Sequence, residues 1–330
     1  MKTAVIGGVG STALLVRKLS EHGYREVRVW GYHPPDCTDV SGWSDVVSLA
    51  EELGFEGRRF VRVTECLRDL GTWGPDVIFA VGLSQLIPEA MIRIPAMGCI
   101  GFHPTRLPLG RGRAPLAWIV EDGVPAAASF FRIGEGVDDG PILAQEAFEV
   151  VPEDDALAVS AKLMAAMSVA VDRLLPALLA GNLVGQDQDH ARATWYGRRT
   201  PADGIIDWER DAGVILRKIR AASMPHPGAF TFAGDEKVII WKAQLSSEPI
   251  TGVPGRIVAV DADGGFQVQS GGGVVRVVEW VSGDWKPRVG QRLGFSAQWE
   301  LSRLRGRCAS LEARLAELER RCGNASEETV

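Results

Sequence analysis

The sequence predicts an α/β chain in three parts: a mostly parallel sheet covered by helices, a small open β-barrel, and a terminal helix bearing a coiled-coil seam. Three observations predict it. Short apolar runs alternate with helix-patterned stretches from Thr3 to Leu179, glycine-punctuated short strands crowd Ala229 to Val281, and leucines step by three and four residues after Leu301. A length of 330 residues suits about two domains with a short appendage, and we place the parts at 1–185, 200–297 and 298–323.

The elements follow in order. Thr3 to Gly7 is an apolar run entering a glycine turn, and Leu14, Leu15, Val16 and Leu19 recur behind it at helical spacing. Strands are expected at Val27 to Trp30, Phe60 to Val63, Val77 to Val81 and Cys99 to Phe102, with a helical pattern at Trp43 to Leu53. Ala126 to Ile133 and Ile142 to Val150 lack a long segment between them, so they add antiparallel strands at one side of the sheet. A helix rich in Ala, Leu and Met, from about Asp155 to Leu179, closes the first part near Gly181.

A polar connector containing Gln186 to Arg192 leads to Tyr196 to Asp207, where the chain changes character. The second part opens with a helix at Trp208 to Ala222. Its strands fall at Ala229 to Phe232, Val238 to Trp241, Gly255 to Val260, Phe266 to Val268 and Val274 to Val281, a pattern for a small barrel. Last come Leu301, Leu304, Cys308, Leu311, Leu315, Leu318 and Cys322, an a/d seam with Arg and Glu between its members. So narrow a stripe fits a partner helix better than a broad domain face, and a homodimer of parallel helices is the expected use.

Composition narrows the function. Hydrophobic residues at 46% and charged residues at 24% exclude disorder for most of the length, and 36 basic against 42 acidic residues argue against a partner held by its phosphate backbone. No apolar run approaches the roughly 18 residues of a membrane span. MKTAVIGGVGST reads as a strand and turn without a cleavage region, so a cytoplasmic location is expected. The five cysteines are scattered, with neither a disulfide framework nor metal-ligand spacing.

The cluster Gly8-Val9-Gly10-Ser11-Thr12-Ala13 fits a loose dinucleotide fingerprint, which would make the chain a nicotinamide oxidoreductase. Such a site has an acid about 20 residues on, and Trp30, Gly31 and Tyr32 stand there instead. The glycines then serve a tight turn, or a helix start that binds a substrate group at Gly10 and Ser11. More informative is GFHPTRLPLGRGRAP, Gly101 to Pro115. His103 ends a central strand, where open parallel sheets bind ligands, and prolines and glycines fix the loop behind it. Some 35 residues later Gly136-Val137-Asp138-Asp139-Gly140-Pro141 carries two carboxylates in a second tight loop. A carboxylate that reached the imidazole would orient it for proton transfer near neutral pH. Each motif alone also fits an ordinary loop.

Together these segments resemble the folate-dependent formyltransferases, which include the methionyl-tRNA, glycinamide ribonucleotide and nucleotide-linked amino-sugar enzymes. GFHPTRLPLGRGRAPLAW and GVDDGPILAQ resemble the family core, and YGRRTPADGIIDW with IRAASMPHPGAF resembles the start of its carboxyl-terminal domain, so the similarity runs from about Met1 to Ala297. The resemblance implies a Rossmann-like first domain, an OB-like barrel, and 10-formyltetrahydrofolate as formyl donor. It implies His103 and Asp138 as the catalytic pair. It also implies a folate pocket from the loop Gly82 to Pro88, with Leu86 and Ile87, and from Val137 and Asp139 opposite. An acceptor amine would attack the formyl carbon directly, without a metal.

One position departs from the family. The pattern is Asn-x-His, and Gly101 stands where the asparagine would hold the developing oxyanion. Losing such a donor costs roughly 3 to 4 kcal/mol. Water, protonated His103 or Thr105 takes over, or the chain is slow, does related chemistry or has lost catalysis. RGRAP resembles the amino-sugar branch, and Arg111 or Arg113 could grip a diphosphate. The acidic balance disfavours tRNA, so a small amine is expected as acceptor, a nucleotide-linked amino sugar first and a specialised-metabolite amine next. The alternatives are a methionyl-tRNA formyltransferase and a non-catalytic folate- or nucleotide-binding assembly protein.

Overall fold

The computed structural model describes residues 1–37, 40–294 and 297–327, with side chains beyond 294 described over 301–318. The first half holds β1 (Thr3–Gly7), α1 (Gly10–Glu21), β2 (Val27–Tyr32), α2 (Val46–Glu52), β3 (Glu56–Phe60), α3 (Leu67–Trp73), β4 (Val77–Ala80) and α4 (Glu89–Ile92). It continues with β5 (Cys99–Thr105), β6 (Arg111–Gly112), α5 (Pro115–Asp122), β7 (Ala126–Arg132), β8 (Ile142–Ala147) and α6 (Ala156–Leu179). After β9 (Trp195–Tyr196) come α7 (Ala212–Ala222), β10 (Ala229–Ala233), β11 (Glu236–Leu245), β12 (Ile257–Val260), β13 (Phe266–Gln269), β14 (Val274–Val281) and α8 (Ala297–Glu327).

Seven strands form one sheet in the order β3-β2-β1-β4-β5-β7-β8, parallel as far as β5 and antiparallel at β7 and β8. The parallel strands β1 and β4 are almost wholly apolar because helices cover both faces. On one face Leu15, Leu19, Leu163, Met167, Val171 and Leu174 of α1 and α6 pack on Val5, Phe79 and Phe130. On the other, Ile6, Trp30, Phe60, Leu70, Ile78 and Met91 make a second layer.

Several boundaries differ from the expectation by a few residues, and two of the differences have a clear physical cause. The third strand is Glu56–Phe60, not Phe60 to Val63: it is an edge strand whose exposed positions are charged, with Arg28 to Glu56 at 2.6 Å and Arg59 to Asp45 at 3.0 Å. The apolar residues after it, Val63, Cys66 and Leu70, form a turn and helix instead. The helix expected from Trp208 starts at Ala212, where the Asp211 side chain accepts the Gly213 N–H as its cap.

The second sheet is five-stranded and wholly antiparallel, β10-β11-β14-β13-β12, with β10 and β12 as its edges. Ile215, Leu216 and Ile219 of α7 cover it together with Trp208, Phe266 and Trp285. The two sheets meet through α5 and α7. Glu121 pairs with Arg199 and, at 3.1 Å, with Lys218. Tyr196 donates its hydroxyl to Asp122 at 2.7 Å, and Trp118 donates its indole N–H to the Gly197 carbonyl at 3.0 Å. Among the described residues no helix is long and apolar enough to cross a membrane.

Candidate active site

The structure brings His103 and Asp138 together. His103 lies in β5, 5% exposed, opposite Ser129 of β7. Its Nε2 stands 2.8 Å from the Gly110 carbonyl. A carbonyl only accepts, so Nε2 carries the hydrogen and Nδ1 is the basic atom of the neutral ring. Nδ1 faces Asp138 Oδ2 at 3.5 Å, and the same Oδ2 accepts the Gly112 N–H at 2.9 Å. An added proton at Nδ1 would therefore find a carboxylate beside it, and the imidazolium would have both N–H groups aimed at oxygen.

The loop between β7 and β8 folds back over β5 to make this contact. Asp138 sits at φ 51°, which a non-glycine residue adopts only where its surroundings hold it. Gln188 holds it: Nε2 donates to the carbonyls of Asp138 at 2.9 Å and Gly140 at 2.7 Å. Gly140 is required at the base of the turn, since a Cβ there would come 1.8 Å from the Arg132 carbonyl oxygen. Gln188 is 6% exposed and accepts from Arg111 at 2.8 Å.

The connector is thus part of the site, which its sequence did not announce. β9 pairs with β6 in parallel, and the Gly110 N–H donates to the Thr194 hydroxyl at 2.9 Å. A two-residue strand is too short to show periodicity, and Gln188 sits in a stretch that reads as solvated linker. Its only signal is a polar residue set before the Thr194-Trp195-Tyr196 run.

The remaining candidates divide. Arg111 is 2% exposed, with its guanidinium on Gln188, 3.2 Å from His190 Nδ1 and 5.7 Å from the Trp195 ring centre, and its Nε has no partner. It faces the connector, while Arg113 is exposed. Thr105 is fully buried and donates its hydroxyl to the Leu109 carbonyl at 2.7 Å, so that hydroxyl is committed inside the loop. Leu86 is 80% and Val137 54% exposed, apolar surface on two loops, whereas Ile87 is half-buried and packs against the core. Gln85 fixes the Leu86 loop by accepting the Val63 N–H and donating to the Val61 carbonyl, both at 2.8 Å. Asp139 fills the turn, where a Cβ on Gly136 would collide with its carboxylate.

Gly10 and Ser11 begin α1, two strands from β5. The Gly10 N–H already donates to the Gly42 carbonyl at 3.1 Å. The neighbouring Gly7 and Gly8 serve close packing, because a Cβ on either would meet Val81 or Tyr32.

Gly101 is enclosed by hydrocarbon. A Cβ there would lie 2.7 Å from Phe131 Cζ and 3.0 Å from Ile133 Cγ1. Phe131 is the cross-strand partner of Gly101, so its ring takes the place that a side chain two residues before His103 would fill. Cys66 and Cys99 are buried, and burial pushes both thiols up to about 12, so neither offers a thiolate.

Solved structures with this fold include HypX from Aquifex aeolicus in complex with tetrahydrofolic acid, 19% identical at a TM-score of 0.62, over 85% of this chain and 44% of that one. The chain therefore spans less than half of the HypX chains it matches. An N-formyltransferase from Helicobacter canadensis, in complex with folinic acid and dTDP-3-aminofucose, is 13% identical at 0.63, over 85% and 100%. Methionyl-tRNA formyltransferase from Clostridium thermocellum is 18% identical at 0.56, over 86% and 100%. By sequence, residues 11–173 match the formyl transferase family and residues 198–287 match the formyl transferase C-terminal domain. The first match takes in both His103 and Asp138 and the second takes in α7 with the whole antiparallel sheet, so the chain belongs to the formyl transferase family.

Proposed function

We propose that the chain is an N-formyltransferase that moves a formyl group from 10-formyltetrahydrofolate to the primary amine of a small molecule, with a nucleotide-linked amino sugar as the first choice. The observation that carries this reading is the approach of His103 Nδ1 in β5 to Asp138 Oδ2 in the β7–β8 loop, in a family whose relatives bind tetrahydrofolate or folinic acid. The exposed apolar surface of Leu86 and Val137 suits the flat pterin of the donor, and backbone groups of Ile87 and Asp139 complete the pocket.

The uncharged amine attacks the formyl carbon, and the nitrogen must shed a proton as the carbon–nitrogen bond to folate breaks. Nδ1 of His103 and Oδ2 of Asp138 are two acceptors flanking one proton position, which is the arrangement that transfer requires. With Gly101 enclosed, the Thr105 hydroxyl committed and both N–H groups of a protonated His103 aimed at the Gly110 carbonyl and Asp138, the developing oxyanion is left to water. Arg113, exposed just before α5, and the α1 turn at Gly10 and Ser11 are the acceptor contacts, while buried Arg111 holds Gln188. The acidic balance favours a small acceptor over tRNA.

The catalytic unit is 1–185 completed by the connector through Gln188 and Thr194, the OB-like unit is 200–297 and the coiled-coil helix 298–323. The working form is a cytoplasmic homodimer with free thiols.

The test is to supply 10-formyltetrahydrofolate with a panel of amines and to follow release of tetrahydrofolate. Release should appear only with an acceptor and vanish in His103→Ala and Asp138→Asn. Folate binding without turnover for any amine would favour the assembly-protein reading, and turnover only with methionyl-tRNA would replace the acceptor class.

A further inference from the structure

Helix α8 runs for 31 residues, and its seam is uncovered: Leu301 is 54% exposed, Leu304 46%, Leu311 58%, Leu315 58% and Leu318 50%. Its described ion pair to the body of the chain is a loose one, Arg303 to Asp235 at 3.6 Å. Isolated helices in water are marginal without an apolar face against a partner, and Gly306 weakens this one further.

We propose that α8 pairs with α8 of a second copy as a parallel, in-register coiled coil in which Cys308 of one chain faces Cys308 of the other. The proposal rests on the homodimer reading and is independent of the formyl-transfer reading. Charge pattern selects this occupant. With Leu301, Cys308 and Leu315 at a and Leu304, Leu311 and Leu318 at d, Arg307 and Arg314 fall at g, while Arg305 and Glu312 fall at e. In a parallel pair each g residue meets the e residue five positions on in the other helix, which sets Arg307 against Glu312. The sequence continues the alternation on both sides, with Glu300 at g before Arg305 at e, and Arg314 at g before Glu319 at e. Every successive pair is opposite in charge.

An antiparallel pair would instead join g to g, and after Glu300 that edge reads arginine at 307, 314 and 321, so its central layers are arginine on both helices. It would set arginine against arginine. A parallel pair in register also stacks each a layer on itself, which puts the two exposed Cys308 thiols within the Cα separation that a disulfide spans. The side chain of Cys322, the next a position, lies outside the described residues.

Light scattering on the full chain should give twice 35.6 kDa at micromolar concentration. Leu304→Asp with Leu311→Asp should halve that mass while the melting transition of the body stays in place. In a Cys37→Ser, Cys322→Ser background, diamide, which takes two electrons and two protons from a thiol pair, should yield a covalent dimer that Cys308→Ser abolishes. Glu312→Arg with Glu319→Arg should weaken self-association by about tenfold or more. Mixing that variant with Arg307→Glu, Arg314→Glu should restore a mixed dimer. A wild-type monomer, a dimer indifferent to the leucine changes, or a dimer that diamide fails to link through Cys308 would each overturn the proposal.

Discussion

Gln188 holds Asp138 through the backbone and not through its carboxylate, donating to the Asp138 carbonyl at 2.9 Å while its own carbonyl accepts from buried Arg111 at 2.8 Å. The carboxylate is left free to face His103.

Gln188→Ala should therefore cost turnover more than binding. Two carbonyls lose a donor and Arg111 loses an acceptor, a destabilisation of about 2–4 kcal/mol by thermal or urea unfolding. Turnover should fall by about tenfold or more with little change in KM, as the strained turn at Asp138 relaxes. Gln188→Glu keeps the acceptor for Arg111 but loses both donors, so it should behave like alanine. Full activity in Gln188→Glu would contradict the assigned role.

Gly101→Asn should fold less well than the parent, since its Cβ enters the space of Phe131 and Ile133, at about 1–3 kcal/mol. Adding Phe131→Ala opens that space. The double variant should raise turnover, up to the roughly 100-fold or more that one oxyanion donor supplies, while the lost Phe131 packing keeps its melting temperature below the parent's. Steady-state rates beside melting curves decide it.

Glu121 joins the two sheets through Arg199 and Lys218, which are 11% and 22% exposed. Glu121→Gln leaves two largely buried cations without their counter-ion and should cost about 2–4 kcal/mol. Limited proteolysis near Arg198 should accelerate in step, and the same cleavage rate in both proteins would argue that this ion pair does not hold the sheets together.

His226 gives the stability a pH dependence. Burial, then the charge of nearby Arg199, holds its imidazole below the ordinary 6.5. The unfolded chain takes up the proton first, so stability is complete above about pH 6.5 and is lost as pH falls from there toward the lowered folded value. His226→Gln should flatten the unfolding free energy over that interval, as urea titrations at a series of pH values would show.

The mostly parallel sheet with antiparallel strands at one side was legible because buried parallel strands such as Val77–Ala80 are continuous apolar runs, and the pairing of His103 with Asp138 in space because the segments around them are dense in proline and glycine. The edge strand Glu56–Phe60 was not, since its ion pairs replace hydrophobic pattern. Gln188 was hidden for a related reason. Its work is to satisfy backbone carbonyls, a role that leaves no periodicity, and what makes it visible is the distant turn at Asp138.

The parallel pairing of Trp195–Tyr196 with Arg111–Gly112 bears on how this chain can be taken apart. A fragment ended at residue 185 would keep its large sheet yet lose Gln188, Thr194 and the flanking strand together. Chimaeras that exchange the second sheet among relatives should be joined after Tyr196, so that the anchor travels with the half it serves.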